Sequence, residues 1–259
     1  MAERLARSEI VVVTAGGPHP WIIINALRDA FGPVTVIQEE SEGRGTLIHR
    51  RAKKFGWWNA LGQTAMMAWS VLGKRLAKRR IAAIIERNGL QTEPPPCQHI
   101  IHVPSVNSIM FRAAVVQLDP KAVLLVGCRM LGAESLAEIK CPILNYHAGI
   151  TPKYRGMNGG YYALAEGDAE NFGGTVHLVD AGVDTGDVIY QARGAPAPDD
   201  DFLTYAFRLA AISRDISMQA VRDALDGTLK PVRVDLPSMQ WFHPTLWRYV
   251  WTGLTKGVW

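Results

Sequence analysis

The segment "NYHAGITPKYRG", Asn145 to Gly156, sets an amide and an imidazole two residues apart at the end of the apolar run "CPIL". If that run is a strand, its two-residue side-chain period turns Asn145 and His147 to one face and Tyr146 to the other. An imidazole relays protons near neutral pH, and an amide N–H donates to the oxyanion of a tetrahedral intermediate. The pair therefore suits acyl transfer to an amine. A carboxylate from another segment would orient the imidazole and favour its cation. The tight loop "DAGVDTGD", after the strand-like "GGTVHLV", offers Asp180 or Asp184 for that task. No serine or cysteine stands with a matching base, so direct transfer is expected rather than a covalent acyl-enzyme. Each feature also has a plainer reading, the His as a hydrogen-bonder at a strand end and the Asp-Gly loop as a turn. On the residues alone, catalysis and a structural role stay equally open.

The elements that must hold these side chains alternate along the chain. Ile10 to Val13 is a short β-branched run that enters the turn "TAGGPHP"; Trp21 to Ala30 has helical spacing, and Val34 to Ile37 is strand-like again. "CQHIIHVPSVNS" reads as a strand with a polar exit and "IMFRAAVVQL" as a helix closed by Asp119-Pro120. "KAVLLVGC", "GAESLAEI" and "CPILNYH" follow as strand, helix and strand, and "GGTVHLVDAGVDTGDVIYQ" as strand, loop and strand. Phe202 to Leu225 is a helix with Asp200 or Asp201 near its cap. Such alternation predicts an α/β fold, a Rossmann-like and mostly parallel sheet flanked by helices. Ligands of open α/β sheets sit beyond the carboxyl ends of the strands, where Asn145 and His147 fall.

A chain of 259 residues with 48% hydrophobic and 20% charged residues has globular composition. Cys97, Cys128 and Cys141 lack metal-ligand spacing, so neither a zinc site nor a disulfide framework is expected and a cytoplasmic location is the default. The stretch "MAERLARSEIVVV" carries no signal-like apolar region. Between Arg44 and Arg87 stand eleven Lys or Arg and one acidic residue, Glu86, a net of +10 that leaves −6 elsewhere. Within it, "FGWWNALGQTAMMAWSVLG" is uncharged, but three glycines and four polar side chains argue against a spanning helix. The ordinary reading is helices packed on the sheet with solvated basic flanks. The alternative is a basic-aromatic surface for anionic lipid or a phosphorylated ligand, with peripheral membrane contact left open.

From Lys121 to Gln191 the chain resembles the folate-dependent formyltransferases, the family of methionyl-tRNA, glycinamide ribonucleotide and sugar N-formyltransferases. The resemblance rests on Asn-x-His, then Pro-Lys-Tyr-Arg-Gly, an Ala-x-x-x-Gly-Asp helix end, and Asp-Thr-Gly-Asp. It implies the formyltransferase fold, with N10-formyltetrahydrofolate as co-substrate and a primary amine as acceptor. Asn145, His147 and Asp184 match the family's catalytic trio. Asn145 would hold the oxyanion, His147 would assist proton transfer, and Asp184 would support the imidazole or an ordered water. Arg129, Met130 and Leu131 match the stretch that lines the pterin pocket, largely through backbone groups, and the loop from Asp180 to Asp184 would close its other side. Where relatives read "HPSLLP" or "HASLLP", this chain has "HAGITP", which puts the shape of the substrate entrance in question.

Only 32 residues follow Gly227, too few for the C-terminal barrel of the transfer-RNA enzymes, so no nucleic-acid partner is expected. The branch implied is that acting on nucleotide-linked amino sugars for surface polysaccharides, with GDP-perosamine the closest substrate and dTDP- or UDP-amino sugars the others. Methionyl-tRNA formylation is the alternative within the enzymes, and a non-catalytic folate- or nucleotide-sugar-binding module the alternative outside them. Lys153 and Arg155 are candidates to grip the diphosphate, or are simply solvated. Asn107 ends a strand on the ligand edge and either touches substrate or caps a helix. The expected organisation is a catalytic domain over 1–227, with N-terminal half 1–120, basic helical insertion 44–90 and folate-binding half 121–227. Residues 228–259 form a Trp-rich extension. A homodimer is implied by the sugar-modifying relatives.

Overall fold

The computed structural model describes residues 8–259; the first residues of "MAERLARSEIVVV" lie outside them. Five parallel strands form the centre of the sheet: β1 (Ile10–Thr14), β2 (Thr35–Glu39), β3 (Ile100–Val103), β4 (Ala122–Val126) and β5 (Ile143–His147). Beside β5 runs antiparallel β7 (Gly173–Leu178), and beside that antiparallel β8 (Val188–Arg193), in the order β3-β2-β1-β4-β5-β7-β8. A second, two-residue pair joins β6 (Arg155–Gly156) to β9 (Gln240–Trp241).

Side-chain alternation sorts the core onto the two faces of this sheet. Val12, Leu124, Leu144 and Tyr146 face one way, onto α1 (Pro18–Phe31) and α7 (Tyr205–Asp226). Val11, Val13, Val123 and Leu125 face the other, onto α4 (Ile109–Leu118) and α5 (Ala133–Glu138). Every residue of β1 and β4 is buried, as a parallel strand covered on both sides requires. The helix ends follow their local chemistry. Pro18 opens α1, the Ser108 hydroxyl accepts from the Phe111 N–H at the start of α4, and α7 closes on Gly227 at φ 68°.

The basic segment forms α2 (Arg44–Phe55) and the 31-residue α3 (Trp57–Arg87), of which no more than one face is buried. No described helix is long and apolar enough to cross a membrane. A third apolar cluster lies under α3 and joins Met66 to Tyr154, Tyr161, Phe172, Tyr205 and Tyr249. These come from α3, the 148–154 loop, α6 (Gly159–Ala165), the approach to β7, α7 and α8 (Leu246–Lys256). The Trp-rich extension is therefore a strand and a helix seated on the body. Thr245 caps α8 through Arg248 N–H, a signal the aromatic content of the segment obscured. At the start of α7 the N-cap is Thr204, with both aspartates beside it as expected: Asp200 accepts from the Thr204 hydroxyl, while Asp201 accepts from Leu203 N–H and pairs with Arg80 of α3 at 2.7 Å.

Candidate active site

Asn145 and His147 end β5, and Asp184 reaches them from the loop between β7 and β8. Asn145 lies directly opposite His177 in the antiparallel register, so four polar side chains converge at this strand end. Asp184 adopts the left-handed region at φ 49°, a conformation aspartate tolerates better than most residues. Its Oδ1 accepts from Asn145 Nδ2 at 3.1 Å and its Oδ2 from Gly156 N–H at 2.8 Å. His147 Nδ1 lies 3.4 Å from Oδ2, and His177 Nε2 lies 3.5 Å from Oδ1.

The tautomers follow from the partners. His147 Nε2 stands 2.7 Å from the Tyr154 carbonyl, which only accepts, so Nε2 carries a proton. Nδ1 then faces the Asp184 carboxylate. His177 Nδ1 donates to the Leu178 carbonyl at 2.7 Å, which leaves Nε2 to accept from Asn145 Nδ2 at 3.1 Å. Burial pushes the Asp184 pKa upward. The electrostatic pull of the adjacent His147 ring and the hydrogen bond from Gly156 N–H outweigh it and hold the carboxyl well below the usual range. Asp184 is thus a fixed anion beside a proton-carrying imidazole.

Both Asn145 N–H donors are committed, one to Asp184 and one to His177. An oxyanion can take one only by exchange. The bond to charged Asp184 is the stronger, so the bond to neutral His177 is the one that yields. His177 was not singled out from the sequence. Its signal was there in "GGTVHLV", since pairing this strand antiparallel to "CPILNYH" brings His177 against Asn145.

One cleft at the site is lined by Leu125, Cys128, Arg129, Met130, Leu131, Val179, Asp180, Gly182 and Val183, together with Asn145, His177 and Asp184. The expected cofactor stretch and loop thus meet on one cleft. The Arg129 guanidinium is turned away to Glu39 at 2.6 Å and to the Glu40 and Pro104 carbonyls, which leaves the loop backbone to face the cleft. Asn107 does not cap α4. Its side chain donates to the Met130 carbonyl at 2.9 Å and accepts from Gly132 N–H at 2.6 Å, so it holds the 130–132 loop. Asp180 spends its carboxylate on Gly182 N–H and the Thr185 hydroxyl, shaping the loop that carries Asp184. Burial and nearby Glu39 push the Cys128 thiol up to about 12, so it does not supply a thiolate nucleophile. No cluster of His, Cys, Asp and Glu among the described residues could hold a metal ion.

A second cleft of about 230 Å³ opens on the other side of Asp184, between Thr151-Pro152, Thr185–Val188 and Val232–Val234. Lys153 is tied to Asp168 at 2.6 Å, and Arg155 to the Val183 carbonyl and Ser238 hydroxyl. Both cations thus hold the loops that frame the site. The unusual "HAGITP" has a steric reason. A Cβ on Gly149 would stand 2.8 Å from His147 Nε2 and 2.6 Å from the Tyr154 carbonyl, the two partners of one hydrogen bond.

In this α/β fold the last parallel strand of the sheet carries an amide and an imidazole that meet a carboxylate bordering two clefts. The chain belongs to the formyl transferase family, whose model matches residues 91–221. Over 124 residues it is 37% identical to methionyl-tRNA formyltransferase of Anaeromyxobacter dehalogenans (strain 2CP-1 / ATCC BAA-258), a match covering 48% of this chain and 39% of that protein. To the methionyl-tRNA formyltransferase of Limosilactobacillus fermentum it is 30% identical over 162 residues, 62% of this chain and 48% of that one. The matches thus span less than half the length of these curated relatives. Among solved structures, a sugar N-formyltransferase from Shewanella sp FDAARGOS_354 superposes with a TM-score of 0.55 at 15% identity, over 92% of this chain and 76% of that one. Phosphoribosylglycinamide formyltransferase from Anaplasma phagocytophilum gives 0.56 at 17% identity, over 93% and 100%. These two share the fold.

Proposed function

We propose that the protein transfers a formyl group from N10-formyltetrahydrofolate to the primary amine of a nucleotide-linked amino sugar. The observation that carries the reaction is the contact of His147 Nδ1 and Asn145 Nδ2 with one fixed anion, Asp184, between two clefts. The folate enters against the 128–131 backbone and the 179–184 loop, and the amine approaches from the Thr151–Val234 side. Attack on the formyl carbon forms a C–N bond and an oxyanion. The Asn145 N–H released from His177 stabilises that oxygen. His147 takes the amine proton at Nδ1, directly or through a water, and Asp184 stabilises the charge the imidazole then carries. The tetrahedral centre then collapses, and the folate N10 departs with a proton from His147.

The sugar reading is supported by the second cleft, which has room for one small ring and is closed by Arg233 and its neighbours from the C-terminal extension. Arg233 is exposed and has no carboxylate partner among the described residues, a placement suited to the anionic part of a sugar nucleotide such as GDP-perosamine. A cytoplasmic enzyme of surface-polysaccharide assembly, with catalysis in 121–227 and acceptor contacts from 228–259, is the corresponding biological reading. Methionyl-tRNA formylation is a second reading, favoured by the names of the relatives at 30% to 37% identity. Incubation with N10-formyltetrahydrofolate and a panel of GDP-, dTDP- and UDP-amino sugars, beside charged methionyl-tRNA, separates the two by product mass. We expect a formylated sugar nucleotide; formylated methionyl-tRNA with no sugar product would replace the first reading by the second.

A further inference from the structure

The helical layer distant from the catalytic chemistry has a surface that the formyl-transfer reading does not use. On α3, Trp58, Leu61, Leu72 and Leu76 fall on one side at helical spacing, and Leu76 is 86% exposed. On α8, Trp251 and Leu254 are 68% and 72% exposed. The two helices pack together, with Trp58 stacked on Trp247 at 4.6 Å, and Gly62 admits that indole because a Cβ there would sit 2.3 Å from it. The apolar side chains of both helices therefore lie on neighbouring ridges rather than scattered singly. Beside them on α3 Arg75 and Arg79 are exposed, and neither has an ion pair with a carboxylate among the described residues.

We propose that this α3–α8 face docks the protein on an anionic lipid bilayer. The apolar stripe inserts at the level of the headgroups, the indoles sit at the interface they prefer, and Arg75 and Arg79 meet lipid phosphates. Charge selects this occupant. A second copy docked face to face with the two-fold axis near Leu76 would bring Arg75 and Arg79 of both chains together, with no acid between them to offset the charge. A nucleic acid would satisfy the cations and leave Leu76 and Leu254 in water.

Partitioning onto vesicles tests this without any substrate, so its failure is separate from failure of the formyl-transfer reading. The full chain should sediment with phosphatidylcholine–phosphatidylserine vesicles and not with pure phosphatidylcholine, with a blue shift of tryptophan emission and release at high salt. Leu76→Ser and Leu254→Ser should each lower the partition coefficient roughly tenfold or more. Arg75→Gln and Arg79→Gln should each lower it roughly fivefold. All four variants should keep the circular dichroism of the parent. Absence of binding to anionic vesicles overturns the proposal, as does binding that these substitutions leave unchanged. A concentration-dependent dimer abolished by Leu76→Ser without vesicle binding would assign the face to a second copy. Binding of an RNA duplex without vesicle partition would assign it to nucleic acid.

Discussion

The end of β5 and the α3–α8 face satisfy their polar and apolar groups in opposite ways. At the strand end, Asn145, His147, His177 and Asp184 are partnered by one another or by a backbone carbonyl, and the neighbouring cations are spent on loops. On the helical face, large apolar side chains and the cations Arg75 and Arg79 meet solvent. The first region is pre-organised: its donors and charge are aimed before substrate arrives. The second is unfinished, and its chemistry calls for a surface rather than a small molecule. The contrast can be broken from either side.

The largest effect is expected at the fixed anion and its imidazole. His147→Ala and Asp184→Ala should each lower formyl-transfer turnover by about 10²–10⁴-fold, while folate affinity measured by equilibrium dialysis changes little. Turnover within a few fold of the parent in both would remove them from the mechanism. Met66→Ala, by contrast, deletes a fully buried side chain under α3 and should destabilise by about 2–5 kcal/mol in urea unfolding, with the kcat of the folded enzyme preserved. A large kcat loss without loss of stability would show that the helical layer shapes the site directly.

How much of this was legible in the sequence differs between the same two regions. The strands of the main sheet and the helix Ile109–Leu118 were readable because continuous apolar runs and Asp119-Pro120 mark them locally, whereas the cap lies at Ser108 rather than at Asn107. The pair Asn145 and His147 followed from strand period alone. His177 did not, because its place depends on an antiparallel register that joins residues 32 apart. The commitments of Lys153, Arg155 and Asn107 to loops were equally non-local, set by Asp168, Val183 and Met130. The α8 helix was missed because its apolar positions read as an aromatic tail until α3 lies beside it. The family resemblance located Asp184, which the residues alone left tied with Asp180.

The charge on Asp184 makes a pH-dependent prediction. Its folded pKa is depressed, so its contribution to stability is present above the ordinary carboxylate value of about 3.9 and is lost as pH falls through the folded value. Asp184→Asn should therefore be less stable than the parent at neutral pH by about 1–3 kcal/mol, with the gap closing in acid. A gap independent of pH would mean that shape, and not charge, holds the loop. Gly149→Ala should cost a comparable amount, about 1–3 kcal/mol, because the added methyl meets His147 Nε2 and the Tyr154 carbonyl. Unfolding by urea would detect it, and a lowered kcat at unchanged folate affinity would show that the imidazole has moved.

The smallest effect, and the sharpest test of pre-organisation, concerns His177. Its Nε2 occupies the Asn145 donor that the oxyanion must claim. Were His177 a general base, His177→Gln would lose turnover as severely as His147→Ala. As a holder of that donor it need only offer an acceptor, which the glutamine carbonyl oxygen does, so turnover should fall by less than about tenfold, under the ~1.4 kcal/mol that a factor of ten represents. His177→Leu, which offers none, should fall further. The coupling between His177→Leu and Asn145→Ala should be strongly non-additive, because once the amide is gone the imidazole has nothing left to orient at the oxyanion. Additive losses would place His177 on the reaction path by a route independent of Asn145, and the strand end would then hold a second proton carrier rather than a parked hydrogen bond.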